Sequence, residues 1–229
     1  EKAGVSIATV SRVINNSSSV RPATRQRVEA ALKELNYRPN AIARSLAVSS
    51  TQTIGVLASD VRDSYYASAI YILEQEFRKN GYHVILCNTG GGLEKRKKYL
   101  DLLLEKKVDG MVLVGSIFKE KNGNPHILDA SKSVPIVMLN SSLQGENIYS
   151  VVCDDQAAVV AIVDSLARRG HRELAYVYDV DSFSGIAKLE GFYSGLKKQG
   201  LPLRQEWIVQ TESGVPGGRK AWGRLDEMG

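Results

Sequence analysis

Long apolar runs are missing from this chain of 229 residues. No stretch of about 18 consecutive apolar residues occurs, which argues against a membrane-spanning helix. The opening EKAGVS has none of the apolar core of a secretory leader. Cysteine is scarce: Cys87 and Cys153 are the only two, each set in an apolar run. The expectation is a pair of buried free thiols rather than a disulfide, as in a reducing cytosol. His83, His126 and His171 lie far apart, with no carboxylate or cysteine at ligand spacing, so no metal site is expected. Thr89 opens a glycine-rich turn, but the Leu-Glu-Lys that follows is not a phosphate-binding loop. No nucleophile sits with a base and no cofactor fingerprint appears. The reading therefore expects no catalytic residues, no cofactor and no enzyme.

Charge of one sign is what the chain does hold, and it is local. The formal net charge is +5. Residues 1–49 carry 8 basic side chains against 3 acidic ones, while the other 180 residues balance at 22 of each. A small basic module on a neutral body points to a polyanionic partner for the module alone.

Within that module, VSIATVSRVIN (5–15) is an odd helix. Val5, Ile7, Thr9, Val10, Val13 and Ile14 are β-branched, which lowers helix propensity, and the polar positions carry Ser, Thr and Asn. Ser6 suits the N-cap, and Val10, Val13 and Ile14 share one face. The exposed side then holds Ile7, Ala8, Thr9, Ser11, Arg12 and Asn15. Short hydroxyls let a phosphate backbone come close, and an Arg among them can fork onto a guanine edge, as in helix-turn-helix recognition. Taken alone, the same face could equally pack on a neighbouring element. A second helix follows at 22–35, with Pro22 first and Val28, Ala31, Leu32 and Leu35 on one stripe. Pro39 then breaks the chain, and NAIARSLAV (40–48) reads as a short helix capped by Asn40, marginal without a partner.

From Ser50 the pattern changes to β-rich runs alternating with amphipathic ones. Strands are expected at 53–58, 84–88, 110–115, 135–140, 149–154, 173–179 and 207–211, with helices near 66–80, 93–107, 156–170, 184–199 and 216–228. Near-continuous Val/Ile/Leu strands between helices indicate an α/β fold with a parallel sheet covered on both faces. The run beginning at Glu94 (EKRKK) reads as a solvated helix face.

AGVSIATVSRVIN, TRQRVEAALKELNYRPNAIARSL and TQTIGV together closely resemble the N-terminal part of lactose/galactose-repressor-family (LacI/GalR) transcription regulators. NGYHVILCNT, LLLEKKVDGMVL and RRGHRELAYV resemble the same family's effector-binding core, so the resemblance covers essentially the whole chain. It implies a helix-turn-helix headpiece at 1–39, a hinge helix and linker at 40–49, and a two-lobed periplasmic-binding-protein-like core at 50–229, with the first lobe about 50–154 and part of the second about 155–229. By resemblance Ile7, Ala8 and Arg12 meet base edges, Ser6, Thr9, Ser11 and Asn15 meet phosphates, and Asn40 and Leu46 belong to a hinge helix in the minor groove. Leu46 takes the place of the wedge that kinks the duplex; packing of Leu46 on the core is the alternative.

Ligands of open α/β sheets bind beyond the carboxyl ends of strands, which nominates loops 59–66, 88–92, 140–142 and 179–188. The resemblance places Tyr65, Tyr66, Asn140 and Lys188 at effector-contacting positions, while plain helix-start packing stays open for the two tyrosines. Two departures stand out: Ser64 replaces a Pro, and Lys188 stands where the family usually has Arg and cannot fork as Arg does. The family pattern also begins earlier and runs on past Met228. Its second lobe shows two clear strands here, fewer than the about five or six of an average sheet. The implied whole is a cytoplasmic, nucleoid-associated homodimer on a double-stranded operator, a repressor governed by a sugar or related metabolite and not tied to a membrane. A solute-binding protein on the same core is the other reading, disfavoured by the basic headpiece.

Overall fold

A computed structural model describes residues 2–14, 17–35, 37, 50–120, 123–179 and 181–228. The chain divides into two compact units, Glu1–Thr51 and Gln52–Gly229.

The first unit holds α1 (Ile7–Ile14) and α2 (Pro22–Glu34). The Ser6 hydroxyl accepts from the Thr9 amide at 3.3 Å, satisfying one donor left open at the start of α1. Val13 of α1 and Val28 of α2 are the buried residues of the two helices, with Val10, Ile14, Ala31 and Leu32 half-buried. Burying one such valine contributes about 1.5–3 kcal/mol, enough to offset the weak helix propensity of β-branched residues. Leu35 departs from the expected stripe. It sits at the C-cap, past the last helical residue of α2, and is 58% exposed. The helix expected at 40–48, with Asn40 and Leu46, lies outside the described residues, as does Asn15.

The second unit begins β1 (Thr53–Ala58), α3 (Ser64–Lys79), β2 (His83–Asn88), α4 (Leu93–Glu105) and β3 (Gly110–Val114). A 3-10 turn (Ser116–Phe118) and a short helix, α5 (Pro125–Ser131), lead to β4 (Ile136–Leu139) and β5 (Ile148–Val151). These five strands form one parallel sheet in the order β2-β1-β3-β4-β5. Then come α6 (Asp155–Arg168), β6 (Tyr176–Tyr178), α7 (Phe183–Gln199), β7 (Ile208–Gln210) and α8 (Gly214–Asp226), with β6 and β7 paired in parallel.

Strand alternation divides the core. Ile54, Val56, Ala58, Val112 and Val114 face α3, packed by Ile70, Leu73 and Phe77. Leu57, Met111, Leu113, Ile136 and Met138 face the other way, onto Leu100 and Leu103 of α4 and Ile127 of α5. Period-two alternation explains why the central strands read as continuous apolar runs: both faces are covered. The second, smaller core joins Val163 of α6 to Phe192 and Leu196 of α7. Gly191 and Gly195 let these helices touch, since a Cβ at Gly195 would lie 2.7 Å from that of Val163.

Two further expectations give way. Arg96, inside the run read as a solvated face, is 4% exposed and ion-paired with Glu120. Cys87 is buried and both thiols are free, but Cys153 is exposed, because β5 is the edge strand of the sheet and is itself exposed from Tyr149 to Val151. Among the described residues no helix is long and apolar enough to cross a membrane.

Candidate nucleic-acid interface and ligand cleft

On α1 the packed and open faces are sharply divided. Ile7 is 89% exposed, and Ser6, Ala8, Ser11 and Arg12 are exposed, while Thr9 is half-buried with its hydroxyl 3.0 Å from that of Ser6. Six of the residues expected to touch DNA thus lie on, or cap, one helix. The helix carries no acidic residue in its first turn. Its open face is therefore small, hydroxyl-bearing and cationic at Arg12, and its N-terminal end adds the partial positive charge of unpaired amides. Such a surface accepts phosphate oxygens and presents one guanidinium to a base edge.

In the second unit the carboxyl ends of the strands meet the starts of α6 and α7. One cavity of about 310 Å³ is lined by Asn140, Ser141, Cys153, Asp155 and Ser184 among others. A second, of about 500 Å³, is lined by Arg96, Ser116, Glu120, His126 and Ser182 among others. Lys119 and Phe183 line both. Volumes of this size suit small-molecule ligands.

The four sequence-predicted residues are placed unequally. Asn140 lines the smaller cavity and holds φ at +60°, a left-handed conformation that Asn tolerates better than most side chains. Lys188 lines neither cavity but lies 3.8 Å from Asp155, whose other oxygen accepts a 2.5 Å bond from the Ser184 hydroxyl. Tyr65 and Tyr66 stack edge-on with centroids 5.3 Å apart, at the start of α3. Asp63 caps that helix through the Tyr65 amide, while Arg62 hydrogen-bonds Asp60 and holds its carboxyl down at about 2. Tyr65 is exposed and lines neither cavity; its hydroxyl is pushed up by partial burial and then by Tyr66, Cys153 and Asp155. Tyr66 packs inward on the α3 side of the sheet and over Gly115.

Sequence reasoning passed over Lys119, Phe183, Ser184, Asp155 and Cys153. Phe183 and Ser184 fall within the nominated loop 179–188. Lys119 follows β3, whose carboxyl end the same rule covers but which was not nominated. Among the described residues no group of three or more His, Cys, Asp and Glu could hold a metal ion.

Comparison with known proteins agrees with this architecture. Residues 1–40 match the family described as bacterial regulatory proteins, lacI family, and residues 51–225 match periplasmic binding proteins and sugar binding domain of LacI family. An HTH-type transcriptional regulator of Lachnoclostridium phytofermentans is 46% identical over 205 residues, covering 89% of this chain and 62% of that protein. The HTH-type transcriptional repressor PurR of Yersinia pestis bv. Antiqua is 35% identical over 221 residues, covering 96% of this chain and 64% of its own length. The chain thus spans less than two thirds of these curated relatives. Among solved structures, a lac repressor dimer bound to operator and the anti-inducer ONPF superposes with a TM-score of 0.84 at 26% identity, covering 99% of this chain and 68% of that one. A transcriptional regulator CelR–cellobiose complex does so with a TM-score of 0.65 at 26% identity and the same coverage. With a helix-turn-helix unit followed by a periplasmic-binding-protein-like α/β core, the chain belongs to the LacI family of bacterial regulatory proteins.

Proposed function

We propose that this chain is the DNA- and effector-binding part of a sequence-specific transcription regulator, a repressor working in the cytoplasm on the nucleoid. The observation that carries the proposal is the open face of α1, where Ile7 is 89% exposed and Arg12 stands beside small hydroxyls. In an isolated module such a face has no packing purpose; in a major groove each of its residues has one. Residues 1–39 act as the headpiece, 40–49 as the hinge and 50–229 as the core. The regulator acts as a homodimer on a pseudo-palindromic operator, and exposed Tyr71 and Ile72 on α3 supply an apolar surface for pairing. The operator-bound dimer of the lac repressor supports that arrangement.

A small molecule, a sugar or related metabolite, occupies the cleft at Asn140, Lys188 and Tyr65, with Tyr66 behind; the CelR–cellobiose complex supports this class. Its binding biases the hinge between two states, which requires unequal affinity for them.

Fluorescence anisotropy on a palindromic operator tests the DNA reading. Affinity falls steeply, by about a hundredfold or more, between about 50 and 200 mM salt. Arg12→Ala costs about 1–3 kcal/mol on the cognate site and much less on random DNA. Equal losses on both would refute base readout. Deleting residues 1–49 abolishes DNA binding with ligand binding retained; retained operator binding would sink the headpiece assignment.

A further inference from the structure

The open face of α1 is apolar where it begins. Ile7, its first residue, is 89% exposed, the most exposed large hydrophobic side chain among the described residues, and Ala8 beside it is exposed too. Ser11 and Arg12 follow on the same face one turn later. The module's own core is made by Val13 and Val28, so Ile7 adds nothing to it. A lone exposed isoleucine is unremarked on an ordinary surface. This one stands in a module whose residues 1–49 carry 8 basic side chains against 3 acidic ones, on a helix with no acidic residue in its first turn. A polyanion that also offers apolar groups in a recess as wide as a helix is double-stranded DNA, whose major groove carries the C5-methyl of each thymine.

Neither side chain donates or accepts a hydrogen bond, so neither can match the pattern of ring nitrogens, carbonyls and amines on the base edges. What an aliphatic group can distinguish in that groove is a methyl from the hydrogen that replaces it. Contact with the methyl removes apolar surface from water on both sides, whereas contact with an amine or carbonyl strands a polar group. Ile7 is suited to the task because branching at Cβ holds it almost entirely in one rotamer within a helix, so little side-chain freedom is lost on contact. Ala8 reaches no further than its Cβ and lets the helix come close. In a groove-bound helix the N-terminal residues meet the base edges, which is where these two stand, and Arg12 is left to fork onto a guanine. The methyl of 5-methylcytosine is attached to the same ring carbon as that of thymine and enters the groove at the same place. The two bases differ in the group on C4, which neither Ile7 nor Ala8 can read.

We propose that Ile7 and Ala8 read the C5-methyl group of a pyrimidine, whichever base carries it, so that methylating a cytosine at the position they face strengthens binding to that site. The inference rests on the reading of α1 as the helix that enters the major groove. It adds the group recognised there and makes cytosine methylation a control on the headpiece.

Fluorescence anisotropy of the full 229-residue chain tests it on a palindromic duplex that this protein selects from a library randomised in both half-sites. Each thymine of the half-site is replaced in turn by deoxyuracil, which lacks only the methyl, by cytosine and by 5-methylcytosine, the last two paired with guanine. At one or two positions uracil weakens binding about fourfold per half-site, the amount expected for one methyl-sized group left out of contact. At those positions 5-methylcytosine binds about fourfold tighter than cytosine. Ile7→Ala brings the thymine-to-uracil ratio to within about 1.5-fold at the position Ile7 faces, and Ile7→Val keeps most of it. Both duplexes are compared on one preparation, so a partly folded variant lowers both affinities and leaves their ratio intact. Three results overturn the inference alone: uracil tolerated at every thymine, 5-methylcytosine binding no better than cytosine wherever uracil weakens binding, or a thymine-to-uracil ratio that Ile7→Ala changes nowhere. Selection of no preferred sequence, or equal affinity for the selected duplex and for random DNA, would overturn the major-groove reading itself and this inference with it.

Discussion

Gly115→Ala is a severe test of how the cleft is assembled, because two independent costs fall on one methyl group. Gly115 follows β3 directly, with φ at +117° and ψ at 152°, a region open essentially to glycine alone, and its amide donates to the Leu139 carbonyl at 2.8 Å. The backbone cannot rotate away without giving up that bond between β3 and β4. Holding alanine there costs about 1–3 kcal/mol. The added Cβ would also lie 2.7 Å from Oη and 2.8 Å from Cε1 of Tyr66, a ring packed against the sheet, so it must be displaced at a further cost of about 1–3 kcal/mol. The expected loss is about 2–6 kcal/mol, and urea unfolding followed by far-UV circular dichroism, at unchanged m, measures it. Tyr66→Ala separates the two parts: in that background only the backbone cost remains, so the increment for Gly115→Ala shrinks by about 1–3 kcal/mol. A Gly115→Ala protein within about 0.5 kcal/mol of the parent, or the same increment in both backgrounds, would refute this account of Tyr66 lying over Gly115.

Other perturbations follow from neighbouring features. Arg96→Met strands Glu120, whose side chain is 23% exposed, and should cost about 2–4 kcal/mol in urea unfolding, below the fully buried range because Glu120 keeps some solvent. Lys95→Met and Lys98→Met, on the exposed part of the same run, should stay within about 0.5 kcal/mol. Gly195→Ala presses on Val163 and should destabilise by about 1–3 kcal/mol, whereas Gly223→Ala in α8, with nothing within 4 Å of the new Cβ, should stabilise by up to about 1 kcal/mol. Equal signs for the two would contradict the close approach of α6 and α7. Burial, above all, lowers the His126 pKa from 6.5; Glu120 opposes the shift, and Lys97 and Arg96 add to it. The unfolded chain then binds the proton first, so stability is lost as pH falls from 6.5 toward the lowered folded value, and nothing changes above that window. His126→Gln should flatten that limb of thermal midpoint against pH; a curve superposable on the parent's would remove His126 as its source.

What could be read from the residues alone follows physical lines. All seven expected strands and five expected helices of the second unit appear, because a parallel sheet covered on both faces makes its central strands nearly all apolar. The helix α5 escaped notice, being seven residues long and tied down from outside its own pattern: Asn124 just before it donates to the Phe118 carbonyl at 2.8 Å and accepts from the Glu120 amide at 3.2 Å. Arg96 escaped for a similar reason. In Glu-Lys-Arg-Lys-Lys every residue is charged, and nothing local says which one turns inward; Glu120, far along the chain, decides it. The open face of α1 was legible because it is a local pattern on a single helix, with small polar residues on one side and Val13 on the other. The cleft was legible only as a set of loops, since the rule that ligands bind at carboxyl ends names places rather than partners. Packing also hides features that no pattern foretells. Among the described residues, the Ser141 hydroxyl and the Nε–H of Arg96 are buried without a hydrogen-bond partner. A missing partner is a property of three-dimensional packing, where most buried polar atoms are satisfied and the exceptions stand out. The chemistry of the ligand is therefore better sought in the side chains that line the two cavities, Asn140, Asp155 and Lys119 among them, than in any motif of the chain.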